Sequence, residues 1–259
     1  MSGSALARGL ILAALLSCPG VCALAGSPDN DFSLSLTPYA WFAGLQGKVG
    51  VEGVSAKANS KLADPSDYLL VSMLRLDALY QGRAGLLADV DYSFLDNQST
   101  KQQFSLNTNI RLILSDVAFY YRFLAAGPGE LTPGPLSLDL LAGARIWSLA
   151  LGNGLTPLIV GSKVTQEKGW TDPILGLRAK IGLAKRWDLE LRGVLGGFGA
   201  SSALTWEAMA TVDYAFWEHG SLLLGYRAVG INHTEGGAGD KFTLDMTLQG
   251  PIAGLAFTF

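Results

Sequence analysis

The chain has almost no thiol and almost no imidazole, with two cysteines and two histidines in 259 residues. Cys18 and Cys22 sit together near the N-terminus, which leaves nothing for a disulfide framework or a thiolate metal centre in the body of the chain. Charge is scarce too. Only 16% of residues are Asp, Glu, Lys or Arg, and a net charge of -3 gives no electrostatic footprint for nucleic acid. Apart from a short N-terminal stretch, no segment approaches the roughly 20 continuous apolar residues of a membrane-spanning helix. Thirty-two glycines and ten prolines exclude long helices as the main theme. Yet 49% of the residues are hydrophobic, too many for a disordered chain. High hydrophobicity without a hydrophobic block is the property to be explained.

Arg8 precedes the apolar stretch Gly9–Leu16, and breaker residues then lead to Ala23-Leu24-Ala25. This pattern predicts a secretory signal peptide over residues 1–25, with the mature domain at 26–259. A competing pattern, Leu15-Leu16-Ser17-Cys18, is a lipoprotein box, weakened by Pro19 immediately after the cysteine. Cleavage after Ala25 removes one basic residue of 19 and none of the 22 acidic ones, so the mature chain carries 18 against 22.

From residue 32 onward the period is two, the period of a strand. In Leu87–Leu95, Asp89, Asp91 and Ser93 share one face and Ala88, Val90, Tyr92 and Phe94 the other. The alternation predicts ten strands, at about 32–51, 70–82, 84–97, 103–124, 136–152, 168–185, 187–200, 203–217, 220–233 and 241–259. Eight and twelve are the neighbouring counts, since 52–66 could add a hairpin. Parity slips near Leu114-Ser115 and near Gln249-Gly250-Pro251 predict two β-bulges. Tight links near 82–84, 185–187 and 217–220 alternate with longer ones near 52–69, 97–103, 152–168 and 233–241. Two links break the alternation: 125–135 is long for its side, and 200–203 is short for its side.

An amphipathic antiparallel sheet can close with its apolar face inward, as a soluble barrel, or outward, as a membrane barrel. The charged face also carries Gly143, Gly176, Gly182, Gly196 and Gly225 beside Trp41, Trp147 and Phe198, which fits a crowded lumen. The uncharged face gathers Phe32, Tyr80, Tyr121, Phe123, Tyr214, Phe216, Phe257 and Phe259 at the short-turn end. Tyr92, Phe94 and Trp206 lie at the other. Two aromatic belts mark two membrane interfaces. The expectation is therefore an all-β fold, a closed antiparallel transmembrane β-barrel with both termini on the periplasmic side of an outer membrane.

Parity assigns the lumen eight basic residues, Arg75, Arg111, Arg122, Arg145, Arg178, Lys180, Arg192 and Arg227. It assigns eleven acidic ones, Asp77, Asp89, Asp91, Asp116, Asp139, Asp172, Asp188, Glu190, Glu207, Asp213 and Asp245. Charges in a narrow interior must be paired, so an interlocked network that stiffens and plugs the barrel is expected. The porin-like alternative is a narrow channel with a slight cation preference from three excess carboxylates. A rim enzyme acting on lipid or peptide would need His233, with Glu235 or Asp240 as partners; His219 falls at a turn. Surface recognition by the loops at 52–69 and 152–168 is a third reading. No cofactor and no metal are expected.

The chain ends Gly254-Leu255-Ala256-Phe257-Thr258-Phe259, which resembles the C-terminal assembly signal of Gram-negative outer-membrane barrels, carried by Gly254, Phe257 and Phe259. Ile252 departs from the polar residue often found there. Further segments resemble a family of small Gram-negative outer-membrane β-barrel proteins of largely undefined function. They are Thr37-Pro38-Tyr39-Ala40-Trp41, the Asp139–Trp147 stretch, Trp170-Thr171-Asp172-Pro173 with Gly176 and Arg178, Gly196-Gly197-Phe198-Gly199, and Gly225-Tyr226-Arg227. The resemblance implies a barrel in the outer membrane. It implies as partners membrane lipid and lipopolysaccharide, and the barrel-assembly machinery through the last strand. It carries no catalytic or binding residue.

Overall fold

The computed structural model describes residues 31–51, 54–59, 69–95, 110–128, 132–151, 166–237 and 241–259. The expected signal peptide, both cysteines, Asp240 and most of the loops at 52–69, 97–109 and 152–165 lie outside the described residues. Extended segments form β1 (Phe32–Val51), β2 (Val54–Asn59), β3 (Leu69–Tyr80), β4 (Ala84–Leu95), β5 (Ile110–Ala126) and β6 (Leu136–Leu151). They continue as β7 (Gln166–Ala184), β8 (Trp187–Gly196), β9 (Ser202–Trp217), β10 (Gly220–Glu235) and β11 (Phe242–Thr258).

Ten of these strands form a closed antiparallel barrel. Each pairs with its sequence neighbours, and β11 closes the ring against β1, from Ser35↔Thr258 to Val51↔Phe242. β2 stands outside the ring as a hairpin on the upper end of β1, pairing Gln46↔Asn59 through Val51↔Val54. Sequence pattern anticipated the ten and left the extra hairpin open. β8 ends at Gly196 rather than near 200, because Gly197, Phe198 and Gly199 all take left-handed backbone angles and turn the chain. Phe198, expected in the lumen, is exposed at the tip of that turn.

Neither expected bulge forms. β5 keeps one register with β6 from Ile110 to Arg122, and β11 keeps one register with β10 throughout. The irregularities sit instead near strand ends, between Arg122 and Leu124, between Gly182 and Ala184, between Gly220 and Ser221, and between Asn232 and His233. There a strand can gain a residue without re-phasing its whole length.

Parity separates the two faces. Leu70, Phe119, Leu140, Leu177, Leu195 and Leu224 point outward and are at least half exposed, while Arg145, Arg178 and Arg227 point inward and are at most 1% exposed. The fold is inside-out relative to a soluble barrel, as a hydrocarbon solvent requires. The short-turn belt holds Phe32, Tyr80, Tyr121, Phe123 and Phe216, all exposed, and is widened by Trp187 and Trp217. Trp187 packs obliquely on Tyr214 at 4.7 Å.

The seam explains one element of the C-terminal pattern. A Cβ on Gly254 would run into the Cβ of Tyr39 and stand 2.7 Å from the Pro38 carbonyl oxygen, so only glycine lets β11 approach β1 here. Gly193 contrasts with it, since a Cβ there meets nothing within 4 Å. Gly254→Leu is therefore expected to abolish the compact, fast-migrating form on electrophoresis of unheated samples, while Gly193→Leu retains it.

Candidate functional site

The lumen divides into two layers. Toward the short-turn end and the middle it is a network of charges, flanked on one side by a small apolar cluster of Leu87, Ala118, Leu141, Ile174 and Val194. Toward the long-loop end it is apolar.

Seven cations and seven carboxylates form one continuous set of ion pairs. Arg122 meets Asp139 at 2.8 Å, which also accepts from Arg178 at 2.8 Å; Arg178 reaches Asp77 across the lumen at 2.6 Å. Lys180 joins Asp77 at 3.4 Å to Glu190 at 3.5 Å, and Glu190 meets Arg75 at 3.2 Å. Arg75 passes the chain to Asp89 at 3.1 Å, Asp89 to Arg192 at 3.0 Å, and Arg192 to Glu207 at 2.6 Å. Glu207 is the hub. Its Oε1 takes Arg192 while its Oε2 accepts from both Arg145 at 2.6 Å and Arg227 at 3.1 Å, and those two arginines end the chain on Asp116 and Asp91.

Neutral donors and soft acceptors complete the shells. The Tyr39 hydroxyl donates to Asp89 and the Tyr120 hydroxyl to Asp77, both at 2.6 Å. Arg145 Nη1 donates to Thr205 Oγ1, and Arg75 Nη2 to Met209 Sδ. The guanidinium planes of Arg75, Arg178 and Arg227 lie against Tyr39, Tyr120 and Trp41. Sequence reasoning missed Tyr39 and Tyr120 as members, although both share the parity of the charges they serve.

The pairing changes the meaning of the three excess carboxylates. The seven cations and seven carboxylates in ion pairs cancel, so the connected network is neutral. Asp172, Asp188 and Asp213 point inward but make no ion pair among the described residues. Asp188 faces Asp213 across β8 and β9, where Asp188 is exposed at the short-turn mouth. Two residues expected in the lumen are not there. With no bulge to re-phase β5 and β11, Arg111 and Asp245 fall on the outward parity and are exposed.

Above the charges the lumen is filled by Trp41, Val71, Met73, Leu114, Trp147, Leu149, Ile231, Phe242, Leu244 and Leu248, all buried. Trp41 Nε1, Trp147 Nε1 and Asp91 Oδ1 find no protein partner, and their side chains line a cavity of about 10 Å³. That volume accommodates about one water molecule, with two donors and one acceptor around it.

Asp172 has a different role from the network. It is fully buried, yet its partners are the Ser202 backbone N–H and the Ser202 hydroxyl, each at 2.7 Å. β7 starts at Gln166 but pairs with β8 only from Ile174↔Gly196, so it rises past the short β8–β9 hairpin, which β10 meets up to His233↔Ser202, and a notch is left in the wall above the hairpin. Asp172 holds the hairpin to β7 at the foot of the notch, helped by Gly197 N–H donating to the Pro173 carbonyl and Ser201 Oγ to the Thr171 carbonyl. Trp170 and His233 bridge it with parallel rings at 4.1 Å, and Lys168 pairs with Glu235 at 3.3 Å.

This geometry also decides His233. Its Nδ1 lies 3.0 Å from the Ser201 carbonyl oxygen, a pure acceptor, so Nδ1 carries the proton. It cannot then accept one from Ser202 Oγ, which lies 3.4 Å away, donates to Asp172 and accepts from Trp170 Nε1. Glu235 is 4.0 Å from Nε2. No activated nucleophile results. His219 is exposed beside Trp217 at a turn. Among the described residues no group of three potential metal ligands occurs.

No family model matches the chain, and no curated protein matches it. Among solved structures the chain is similar to Neisserial surface protein A, at 13% identity over 88% of this chain and 97% of that one, with a TM-score of 0.39. It is also similar to the N-terminal β-barrel domain of Pseudomonas aeruginosa OprF, at 8% identity over 88% and 97%, TM-score 0.35. A third is Ail, the attachment invasion locus protein of Yersinia pestis, at 10% identity over 89% and 99%, TM-score 0.35. Likeness at this level assigns neither ligand nor activity.

Removing the hub exposes three arginines to one another. Glu207→Gln is expected to destabilise the barrel by about 3–5 kcal/mol, the cost of breaking a buried ion pair. Lys180→Met, at a side chain 41% exposed, should cost under about 1 kcal/mol. Urea unfolding in detergent micelles followed by tryptophan fluorescence measures both. Asp172→Asn should loosen the β8–β9 hairpin selectively, seen as faster amide exchange over 197–204 with the mid-barrel network unchanged.

Proposed function

We propose that this protein is a sealed, non-enzymatic barrel of the Gram-negative outer membrane, with a structural task rather than the passage of solute. The observation that carries the reading is the composition of the lumen, a connected ion-paired network that is itself neutral, beneath an apolar stopper, with Asp188 and Asp213 outside it toward the short-turn mouth. A water-filled pore needs polar walls that remain solvated. Here Arg145, Arg178, Arg192 and Arg227 are each at most 3% exposed, and no excess charge remains within the paired set to select an ion.

The outer-membrane location rests on the outward apolar face, the aromatic belts and the secretory leader expected at 1–25. With an even strand number both termini fall on one side, together with the short links. That side is assigned to the periplasm, which puts the longer loops outside. Gly254, Phe257 and Phe259 are assigned to engagement of the barrel-assembly machinery, with membrane lipid and lipopolysaccharide as the surrounding partners. The arrest of His233 by the Ser201 carbonyl supports the non-enzymatic assignment.

Planar-bilayer recording tests the reading directly. The purified protein is expected to insert without a steady conductance, whereas Trp41→Ala combined with Arg227→Ala should open a path through both layers. A stable open state in the unaltered protein would overturn the sealed reading.

A further inference from the structure

The outer wall of a barrel is convex, and aliphatic side chains on neighbouring strands normally fill it evenly. One region departs from this. A groove of about 570 Å³ crosses the wall from β5 to β10, lined mostly by residues of outward parity; Arg178, Arg192 and Met209 also border it, but their side chains are buried in the lumen. Register explains its shape. Gly193 lies beside Ala208, and Ala208 beside Ala228, so three strands in succession present almost no side chain at one level. The row below carries Leu191 and Tyr226, both exposed, and the row above carries Trp206, whose indole lies over Gly230.

We propose that this groove is a binding site for one acyl chain of a membrane phospholipid. The inference rests on the membrane placement given above. The groove is continuous with the hydrocarbon-facing wall, and its walls offer aliphatic and aromatic surface with no charged side chain turned into it. Its floor runs from Leu177 on β7 to Ala228 on β10, three strand spacings of about 4.8 Å, or ~14 Å. Because the strands of a membrane barrel tilt by about 35–45°, a row that crosses them runs obliquely through one leaflet, a path that a single extended acyl chain can follow.

The source is fixed by position. Leu138 at one end of the groove is two residues from the start of β6 at the short-turn end, so the groove opens toward the leaflet assigned to the periplasmic side, where phospholipid supplies the chains. A second copy of the barrel fits poorly, because its own wall is convex and would bridge the groove without filling it.

The test uses the full mature protein in vesicles of phosphatidylethanolamine doped with a phosphatidylethanolamine bearing a diazirine on its acyl chain. After photolysis and digestion, peptides containing Gly193 and Ala208 are expected to carry several-fold more label than the outward wall of β3–β5. Gly193→Leu starts a side chain into the groove from a Cβ that meets no protein atom within 4 Å, and Ala208→Leu fills it from the next strand. Either should lower the label there to the level of the rest of the wall, with electrophoretic mobility reporting that the barrel still folds. Even labelling around the wall, or unchanged labelling in both filled variants, would overturn the acyl-chain site while leaving the membrane placement intact. Disulfide-linked dimers of Gly193→Cys would overturn it in favour of a second copy. A protein that takes no label anywhere and stays in the supernatant would overturn the membrane placement itself.

Discussion

Hydrocarbon offers no partner to a backbone N–H or C=O, and this constraint governs the rest of the molecule. Every strand must be bonded on both sides, so the sheet has to close, and the β1–β11 seam is where closure is completed. Closure with ten strands fixes a narrow interior. Whatever points into it is removed from water almost as thoroughly as a soluble protein's core, although the residues that fit between lipid-facing positions on an alternating strand are free to be polar. The result is a core built from arginine and carboxylate.

Such a core is stable only when its charges cancel locally. Glu207 makes this visible, because three guanidinium groups converge on it from β6, β8 and β10 and would repel one another without it. The same pairs run across the lumen as well as around it, tying β3 to β7 and β8, and β4 to β8 and β10. They brace the barrel against flattening. β11 contributes only apolar or small residues to the interior, such as Phe242, Leu244, Leu248 and Ile252, and is held mainly by its backbone ladders and by the apolar layer. The strand that closes the ring is thus the one least committed to the charge network.

Much of this was legible in the sequence, because a period of two is a strong signal when one face must be apolar along its whole length. Strand number and the identity of most lumenal charges follow from parity alone, whereas the hairpin on β1 is an addition that the sequence of 52–66 leaves open. What parity could not supply is register. Bulges at Leu114-Ser115 and Gln249-Gly250 would turn Arg111 and Asp245 inward, but an unbroken strand with a charge on its outward face near one end costs less than re-phasing a ladder. An exposed Arg111 at the end of β5 can reach the headgroup region, which removes the need for a bulge. Phe198 was misplaced for a related reason, since alternation was carried through Gly196-Gly197-Phe198-Gly199 although three left-handed residues end the strand. The neutrality of the network was also hidden, because counting acids and bases on one face cannot tell which carboxylates are bound to backbone or lie at a mouth.

The short β8–β9 hairpin shows how two segments that stand apart in sequence are bound by one requirement. A hairpin that stops early leaves the upper part of β7 with an edge that β8 does not pair, and an unpaired edge at a membrane interface is unfavourable. Trp170, Asp172 and Pro173 answer this from β7 and the Gly197–Ser202 turn from the other side. The turn's N–H groups go to Asp172 and to the Pro173 carbonyl, and Trp170 covers the opening by stacking on His233 from β10. A carboxylate with no cation is tolerated at 0% exposure because it replaces the missing β8 partner as a hydrogen-bond acceptor. Asp172 therefore belongs to the backbone accounting of the barrel, in the same sense as the seam, and not to the electrostatics of the lumen it points into.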